Sequence, residues 1–278
     1  MDIVTSDKIY NRVKSLNNPL IQYVKTDFIK DKPANSMQVT ICDWRDTNET
    51  IDLTKIEVLV TGHSDYSVDE SELPILNLPN LRAWYCANKN VRHPKLHSIP
   101  LGITNKDEPK TRGLHKIIGN TDRLARIAVE PKMSPPKNIA YLNVVFSNYP
   151  EEREEVKKLF ANQEWVTTDI PNHTEEGHES FLRNIRNHRF VFAPRGNGLD
   201  THRLWECLYL GTIPIVKKHV SMEDFNELPI LQVDEWCDVT PTLLEATYQK
   251  FEDNKEDYND AINKWLNINN ISSWLPST

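Results

Sequence analysis

The chain has 278 residues, of which 38% are hydrophobic, and a formal net charge of −7. This length suits one large α/β domain or two smaller ones, and the acidic balance argues against a nucleic-acid partner. The longest apolar runs are too short to span a bilayer, and the N-terminus lacks the pattern of a secretory signal. Four widely spaced cysteines without a Cys-x-x-Cys pair indicate reduced thiols. We therefore expect a cytoplasmic protein without a membrane span.

Short apolar runs that stop at polar or glycine-bearing turns predict strands in the first half of the chain. Residues 1–35 are predicted to form a helix followed by a loop. Residues 56–60 are continuously apolar, as expected of a strand buried on both faces of a parallel sheet. Most segments between the runs are long enough for crossover connections. The predicted strands are 38–42, 56–60, 81–87 and 97–103.

A polar, proline-bearing stretch separates these strands from a second series. We place one Rossmann-like domain at 1–120, a connection at 121–137 with a helix at 122–129, and a second Rossmann-like domain with terminal helices at 138–278. The predicted fold is α/β, with two Rossmann-like domains facing across a cleft. The second series comprises strands at 139–146, 165–168, 190–193, 213–216 and 231–233, and helices at 151–160, 179–188, 201–210 and 243–266.

Residues 190–216, FVFAPRGNGLDTHRLWECLYLGTIPIV, predict a strand, a glycine-bearing loop, a helix and a second strand. Gly196 and Gly198 let the chain turn sharply and bring its amides close to a ligand. Arg195 and Arg203 lie on either side of this loop, which opens a helix. Such an arrangement suits a phosphate group.

The charge distribution also points to this loop. Residues 181–219 hold seven Lys or Arg against two acidic residues, whereas residues 220–278 hold twelve acidic residues against three lysines. One basic region in an acidic protein favours a small anionic ligand. Arg183, Arg186 and Arg189 have helical spacing and are predicted to form a solvated helix face instead.

Arg203 and Glu206 are three residues apart and share one face of the predicted helix. They could form a simple intrahelical salt bridge, worth about 0.2–0.5 kcal/mol. At the mouth of a glycine loop they could instead divide a nucleotide, with Arg203 on a phosphate and Glu206 accepting from ribose hydroxyls. The neighbouring His202 either reaches a phosphate or packs.

The stretch APRGNGLDTHRLWECLYLGTIPIV resembles the nucleotide-sugar signature of exostosin-like glycosyltransferases, in which a Pro-Arg-Gly loop precedes an Arg-x-x-Glu helix and a Gly-x-Ile-Pro strand. The segments TGHSDY and IPLGI and the FSN turn before Arg153 resemble the short stand-alone members of microbes and large algal viruses. The resemblance implies a GT-B arrangement, with the acceptor side in the N-terminal domain at 1–120 and the nucleotide-sugar side in the C-terminal domain at 138–278. It also implies an inverting transfer of one sugar from a UDP-sugar to a glycan or glycoprotein acceptor. It favours xylose as the sugar and, for a viral protein, the host cytoplasm.

The resemblance also implies roles for individual residues. Arg195 and Arg203 would hold the diphosphate and Glu206 the ribose, while Arg153 would support a phosphate directly or from behind. The loop backbone would approach the donor closely. The remaining predicted donor-site residues are Gly196, Asn197, Gly198, Thr201 and His202.

Transfer chemistry needs a stabilised leaving group and a base. The sequence contains no Asp-x-Asp, so we expect arginines and a helix dipole to meet the diphosphate charge, without a metal or other cofactor. Asp65 and His63 are the candidate bases, with Asp43 behind them, although Asp65 could simply cap a helix. Trp44 could stack on an acceptor sugar.

Three alternatives remain from the residues alone. His173, Glu175 and His178 could suggest a metal site, but the polar stretch PNHTEEGHES favours solvated loop histidines. A nucleotide- or glycan-binding module without catalysis would keep the same loop. A Rossmann oxidoreductase is disfavoured because the loop lacks the G-x-G-x-x-G order.

Overall fold

The structure, a computed structural model, describes residues 2–30, 36–42, 48–106, 113–133, 138–145 and 147–275. Its strands are β1 (Ile21–Lys25), β2 (Gln38–Cys42), β3 (Asn48–Asp52), β4 (Val58–Gly62), β5 (Ala83–Cys86), β6 (Leu96–Ser98), β7 (Ala140–Asn143), β8 (Val166–Asp169), β9 (Phe190–Phe192), β10 (Ile213–Lys217) and β11 (Leu231–Val233). Its α-helices are α1 (Ser6–Ser15), α2 (Thr26–Lys30), α3 (Leu73–Leu76), α4 (Leu114–Ile118), α5 (Thr121–Ala128), α6 (Pro150–Phe160), α7 (Glu175–Arg186), α8 (His202–Tyr209), α9 (Pro241–Asp253) and α10 (Lys255–Leu266). Short 3₁₀ segments lie at Leu53–Lys55, Glu70–Glu72, Val220–Phe225, Trp236–Asp238 and Ile268–Ser273.

The first half of the chain forms a parallel sheet of four strands in the order β1–β4–β5–β6. Every residue of β4 is buried, as its continuous apolar run predicts. The strand β6 is shorter than predicted and ends at Ser98, because Pro100 cannot donate to a strand ladder and Gly102 adopts a φ of +69°.

Two predictions for this half are wrong. Residues 1–35 contain the edge strand β1, which pairs with β4 from Ile21↔Val58 onward. The predicted strand at 38–42 exists as β2, but it pairs antiparallel with β3 in a separate hairpin. The link between β2 and β3 is too short for the crossover that parallel pairing requires.

The second half forms a parallel sheet of five strands in the order β11–β10–β9–β7–β8. Counted from β7, this is the doubly wound order 2-1-3-4-5, which changes direction between β7 and β9. In open parallel sheets the point where the strand order changes direction opens a crevice for a ligand.

The helix α7 begins at Glu175 rather than at the predicted 179, because the Thr174 side chain caps it by accepting from the Gly177 amide.

The two halves share a hydrophobic core that includes Ile3 and Ile103 from the first and Trp205 and Trp265 from the second. The helix α5 packs on α7 and α8, and the C-terminal 3₁₀ segment returns to α1. The structure thus confirms the α/β class with two Rossmann-like halves facing each other. In the parts of the chain described above, no helix is both long and apolar enough to cross a membrane.

Candidate functional site at the switch point

A cavity of about 260 Å³ opens between the carboxyl ends of β7 and β9, and we call it the switch-point cavity. The loops after these two strands supply one wall, α7 and the start of α8 a second, and the first half of the chain a third. The polar and aromatic side chains of its lining include Asp65, Arg153, His178, Phe181, Asp200, Thr201, His202, Arg203 and Glu206.

Strained backbone borders this region. His63, Asn88 and Tyr149 have positive φ values of 54°, 60° and 49°, and they follow β4, β5 and β7 respectively. Residues other than glycine reach this region at a cost, which the surrounding contacts must offset. The loops at the carboxyl ends of the strands are therefore held in defined shapes.

Arg203 lines the cavity, and no described carboxylate lies in contact with its guanidinium. Its central carbon lies 5.4 Å from the ring centroid of Phe181, and its buried Nε has no hydrogen-bond partner in the described part of the chain. No ion pair with Glu206 within 4.0 Å is found among the described side chains, so the intrahelical salt bridge considered above does not form. Burial holds the pKa of Arg203 below its usual value. An anionic ligand would satisfy both the charge and the orphaned donor.

Arg153, from α6, is the second cationic group of the cavity and is itself buried. Its Nε donates to the Arg195 carbonyl at 2.9 Å and its Nη1 donates to the Val145 carbonyl at 2.9 Å, which joins the loops after β7 and β9. Burial, and then the charge of Arg203, lower the pKa of Arg153 to about 10. Two guanidinium groups in one cavity, with the charge of one lowering the pKa of the other, form a site for a polyanion.

Arg195 lies on the other face of the loop. Its guanidinium stacks on the Tyr149 ring, 4.1 Å from the centroid, and donates to the Asn197 carbonyl at 3.1 Å. It lines a separate cavity with Lys217, Lys218 and His219. The structure therefore brings Arg203 together with Arg153 and not with Arg195.

Asp200 ties the glycine loop to the first half of the chain. Its carboxylate accepts from the Leu101 amide at 3.0 Å, and its own amide donates to the Asn88 side chain at 2.8 Å. Burial raises the pKa of Asp200 to about 7. A Cβ at Gly198 would lie 3.0 Å from both terminal side-chain atoms of Asn88. The lack of a side chain at Gly198 therefore makes room for Asn88.

Glu206 reaches the cavity from α8 and is buried beside His178 of α7, with 3.8 Å between Glu206 Oε1 and His178 Nε2. The prediction of solvated loop histidines is wrong for His178, which is 5% exposed and lies inside a helix. The signal was present in the sequence: Thr174 precedes two glutamates, and His178, Phe181, Leu182 and Ile185 have helical spacing.

A second cavity, of about 590 Å³, adjoins the first on the side of the first half. It lies at the carboxyl ends of β1 and β4, and Asp65 and His202 line both cavities. The Asp65 carboxylate is exposed and accepts from the Asn197 side chain at 3.4 Å. Two neighbouring sites with shared polar walls can hold two substrates side by side.

His63 and His202, the two histidines beside Asp65, differ in the hydrogen bonds that hold their rings. His63 is enclosed, because the Tyr23 hydroxyl lies 2.6 Å from its Nδ1 and Asp7 Oδ1 lies 3.0 Å from its Nε2. The Nδ1 of His202 lies 2.7 Å from the Gly102 carbonyl, to which it donates, leaving Nε2 as an acceptor. Burial lowers the pKa of His202, which keeps this ring neutral at physiological pH. Asp43 and Trp44 lie outside the described residues.

Orphaned polar atoms concentrate here. Among the described residues, seven buried side-chain polar atoms lack a hydrogen-bond partner, and four of these belong to residues that line the two cavities. Buried polar groups are normally satisfied, so a concentration of orphaned atoms along two cavities favours a polar ligand there. The four are Asp27 Oδ2, His178 Nε2, Thr201 Oγ1 and Arg203 Nε.

Comparisons with known proteins add little to this geometry. No protein-family model matches the chain, and no curated protein matches it. Solved structures that resemble it include a crystal structure of an α1,3-fucosyltransferase, at 12% identity over 74% of this chain and 69% of that one, with a TM-score of 0.32. A likeness of that degree carries no argument about activity.

Proposed function

We propose that the protein is an inverting glycosyltransferase that moves one sugar from a UDP-sugar to a glycan acceptor. The observation that carries the proposal is the switch-point cavity, which Arg153 and Arg203 line without contact to any carboxylate that the structure describes. The loop signature, with Glu206 one turn beyond Arg203, supports a nucleoside diphosphate as the ligand of this space. UDP-xylose is the first donor to test.

In the proposed reaction, the donor diphosphate lies against Arg153, Arg203 and the N-terminal end of α8, whose dipole favours negative charge. The acceptor glycan occupies the second cavity. Asp65 takes the proton of the acceptor hydroxyl, whose oxygen attacks the anomeric carbon from the face opposite the diphosphate. The bond from that carbon to the diphosphate breaks, and the arginines stabilise the charge that accumulates on the leaving group.

Asp65 is proposed as the base because, among the described carboxylates, it alone lines both cavities. His63 lines the second cavity alone, and both of its ring nitrogens are engaged. Arg195 is assigned to shaping the loop through Tyr149 and the Asn197 carbonyl. The assignment of Arg153 in place of Arg195 as the partner of Arg203 rests on their shared cavity.

Titration calorimetry with UDP tests the donor site. Arg203→Ala should weaken UDP binding by about 10- to 100-fold, since charge-assisted hydrogen bonds contribute about 1.5–3 kcal/mol each. Arg189→Ala is the matched control, because Arg189 belongs to the same basic region but pairs with Glu245 and stacks on Tyr248 away from the cavity. Equal UDP affinity in Arg203→Ala and wild type would overturn the site.

A second measurement separates the enzyme from a binding module. Wild-type protein with UDP-xylose and a panel of glycans should release UDP only when an acceptor is present. Binding without release across donors and acceptors would favour the non-catalytic module.

We also propose that no metal is needed. Within the described residues no group of three His, Cys, Asp or Glu is arranged to hold one, and UDP affinity should be unchanged by a chelator.

A further inference from the structure

His178 is a buried titratable group for which the proposed transfer has no role. It lies on α7 with its ring stacked on Phe181, at 6.1 Å between centroids, and it lines the switch-point cavity. Its side chain is 5% exposed, and its Nε2 finds no hydrogen-bond partner among the residues that the structure describes. A buried donor or acceptor left in this state costs free energy unless a ligand satisfies it.

The hydrogen-bond partner on the other ring nitrogen determines where the proton resides. Arg123 Nη1 lies 3.1 Å from His178 Nδ1. A guanidinium has donors and no acceptor, so Nδ1 must be the unprotonated acceptor, and the proton of the neutral ring is on Nε2. The orphaned atom is therefore an N–H donor on a side chain that lines the cavity.

Arg123 is in turn held rigidly. It is buried, donates to the Ile117 carbonyl at 3.1 Å, and donates to Glu175 Oε2 at 3.0 Å. A guanidinium fixed on one ring nitrogen also disfavours a proton there, because the two positive groups would repel each other. Arg123 is thus a positioning residue that maintains the tautomer of His178.

The acceptor that completes the arrangement is Glu206, whose Oε1 lies 3.8 Å from His178 Nε2. This separation is beyond hydrogen-bond distance, and both side chains line the switch-point cavity, so the donor and the acceptor lie side by side in its wall. Two neighbouring hydroxyls, one accepting and one donating, would span such a pair with a hydrogen bond to each. A phosphate would be repelled by Glu206. The arginines proposed to bind the diphosphate are Arg203, one helical turn away on α8, and Arg153 on α6.

We propose that His178 and Glu206 together clamp the cis-diol of a ribose, so that His178 is a specificity-determining residue for ribonucleotides. The inference rests on the proposed donor site and adds to it a donor residue and a selection for both hydroxyls. Each hydroxyl has its own partner: one accepts from His178 and the other donates to Glu206. Loss of either hydroxyl leaves one buried group unpaired.

The test compares three nucleotides, UDP, 2′-deoxy-UDP and 3′-deoxy-UDP, by calorimetry on wild-type protein, His178→Leu and His178→Gln. In the wild type, each deoxy analogue should bind about 10- to 100-fold more weakly than UDP. In His178→Leu one of the two penalties should disappear while the other, owed to Glu206, remains. His178→Gln should keep both penalties, because its amide oxygen can accept from Arg123 while its NH₂ donates to the ligand.

The outcomes separate the two levels of inference. Deoxy analogues that bind wild type as tightly as UDP, or two unchanged penalties in a folded His178→Leu, would overturn the diol clamp and leave the donor site intact. Wild type that binds no nucleoside diphosphate would overturn the donor site and the clamp together. If His178→Leu does not fold, His178→Phe, which keeps the ring without a donor, is judged in the same way: loss of one penalty supports the clamp, and two unchanged penalties overturn it.

Discussion

Asp65 is the residue on which the proposed catalytic step depends. Asp65→Asn keeps the size and the contact with Asn197 but removes the negative charge that would accept a proton. We expect UDP affinity within about twofold of wild type and a loss of at least about 100-fold in the rate of sugar transfer, the usual scale of general-base catalysis. UDP release with an acceptor present measures the rate.

Asp257→Asn is the matched control for this change, because Asp257 is an exposed carboxylate in the first turn of α10, outside both cavities. Full transfer activity in Asp65→Asn would remove Asp65 as the base. His202 would then be the next group to test, since its neutral ring lines both cavities with Nε2 as an acceptor.

The sequence predicts some contacts within the site and leaves others open, because spacing along a helix is local whereas the path of a loop depends on distant contacts. Arg203 and Glu206 share one helix face, and a spacing of three residues is sufficient to predict that they would face one cavity. The choice between Arg153 and Arg195 was not accessible, because it depends on how the loop turns between Pro194 and Thr201. That path is set by contacts with Asn88 and Arg153, which are distant in sequence.

At the scale of elements, the glycine loop depends on its fit against β5. Gly198→Ala would place a methyl group 3.0 Å from the buried Asn88 side chain, which holds the Asp200 amide and the Ser64 carbonyl. We expect the free energy of unfolding to fall by about 1–3 kcal/mol, the usual cost of overpacking, and UDP affinity to fall with it. Thermal or denaturant unfolding and calorimetry measure the two effects.

Gly113→Ala provides the control, because a Cβ there meets no atom within 4 Å. It should change neither quantity by a measurable amount. An unaltered stability and UDP affinity in Gly198→Ala would show that the loop does not need its close approach to Asn88.

Helices were predicted more accurately than strand partners. The helix α6 was predicted to within one residue, since its acidic first turn and basic last turn are readable in the sequence. By contrast, β1 was predicted as helix or loop, because its five residues are stabilised by pairing with β4, more than thirty residues away. Strand formation of this kind is decided by partners and burial more than by local preference.

For the whole molecule, an ion pair between the buried Lys89 of the first half and the half-buried Asp224 of the second joins the two halves. Lys89 Nζ lies 2.6 Å from Asp224 Oδ2, and the Lys89 side chain is 6% exposed. Burial alone would raise the pKa of Asp224, but the Lys89 ammonium and the Ser98 amide outweigh it and hold that pKa below its usual value. Ser98, whose amide donates to Asp224, is the last residue of β6. The pair therefore holds the second half against the carboxyl end of the first sheet.

Asp224→Ala should lower the free energy of unfolding by about 3–5 kcal/mol, because it leaves the Lys89 charge buried without a partner. Asp234→Ala removes the partner of Lys218 in an exposed pair and should cost no more than about 1 kcal/mol. Denaturant titrations of the two variants give the comparison. Equal stabilities would mean that the Lys89–Asp224 pair is no more important than a surface contact.

The sequence by itself determined the α/β class, the succession of strand, glycine loop, helix and strand, and the shared face of Arg203 and Glu206. These features depend on composition, helical spacing and turn chemistry, which act over a few residues. The tertiary structure decided that Arg153 joins Arg203, that Arg195 does not, that His178 lines the cavity beside Glu206, and that Asp65 borders both cavities. Those outcomes depend on which strands become neighbours and on how the two halves pack, and both are set by burial between residues far apart in the chain.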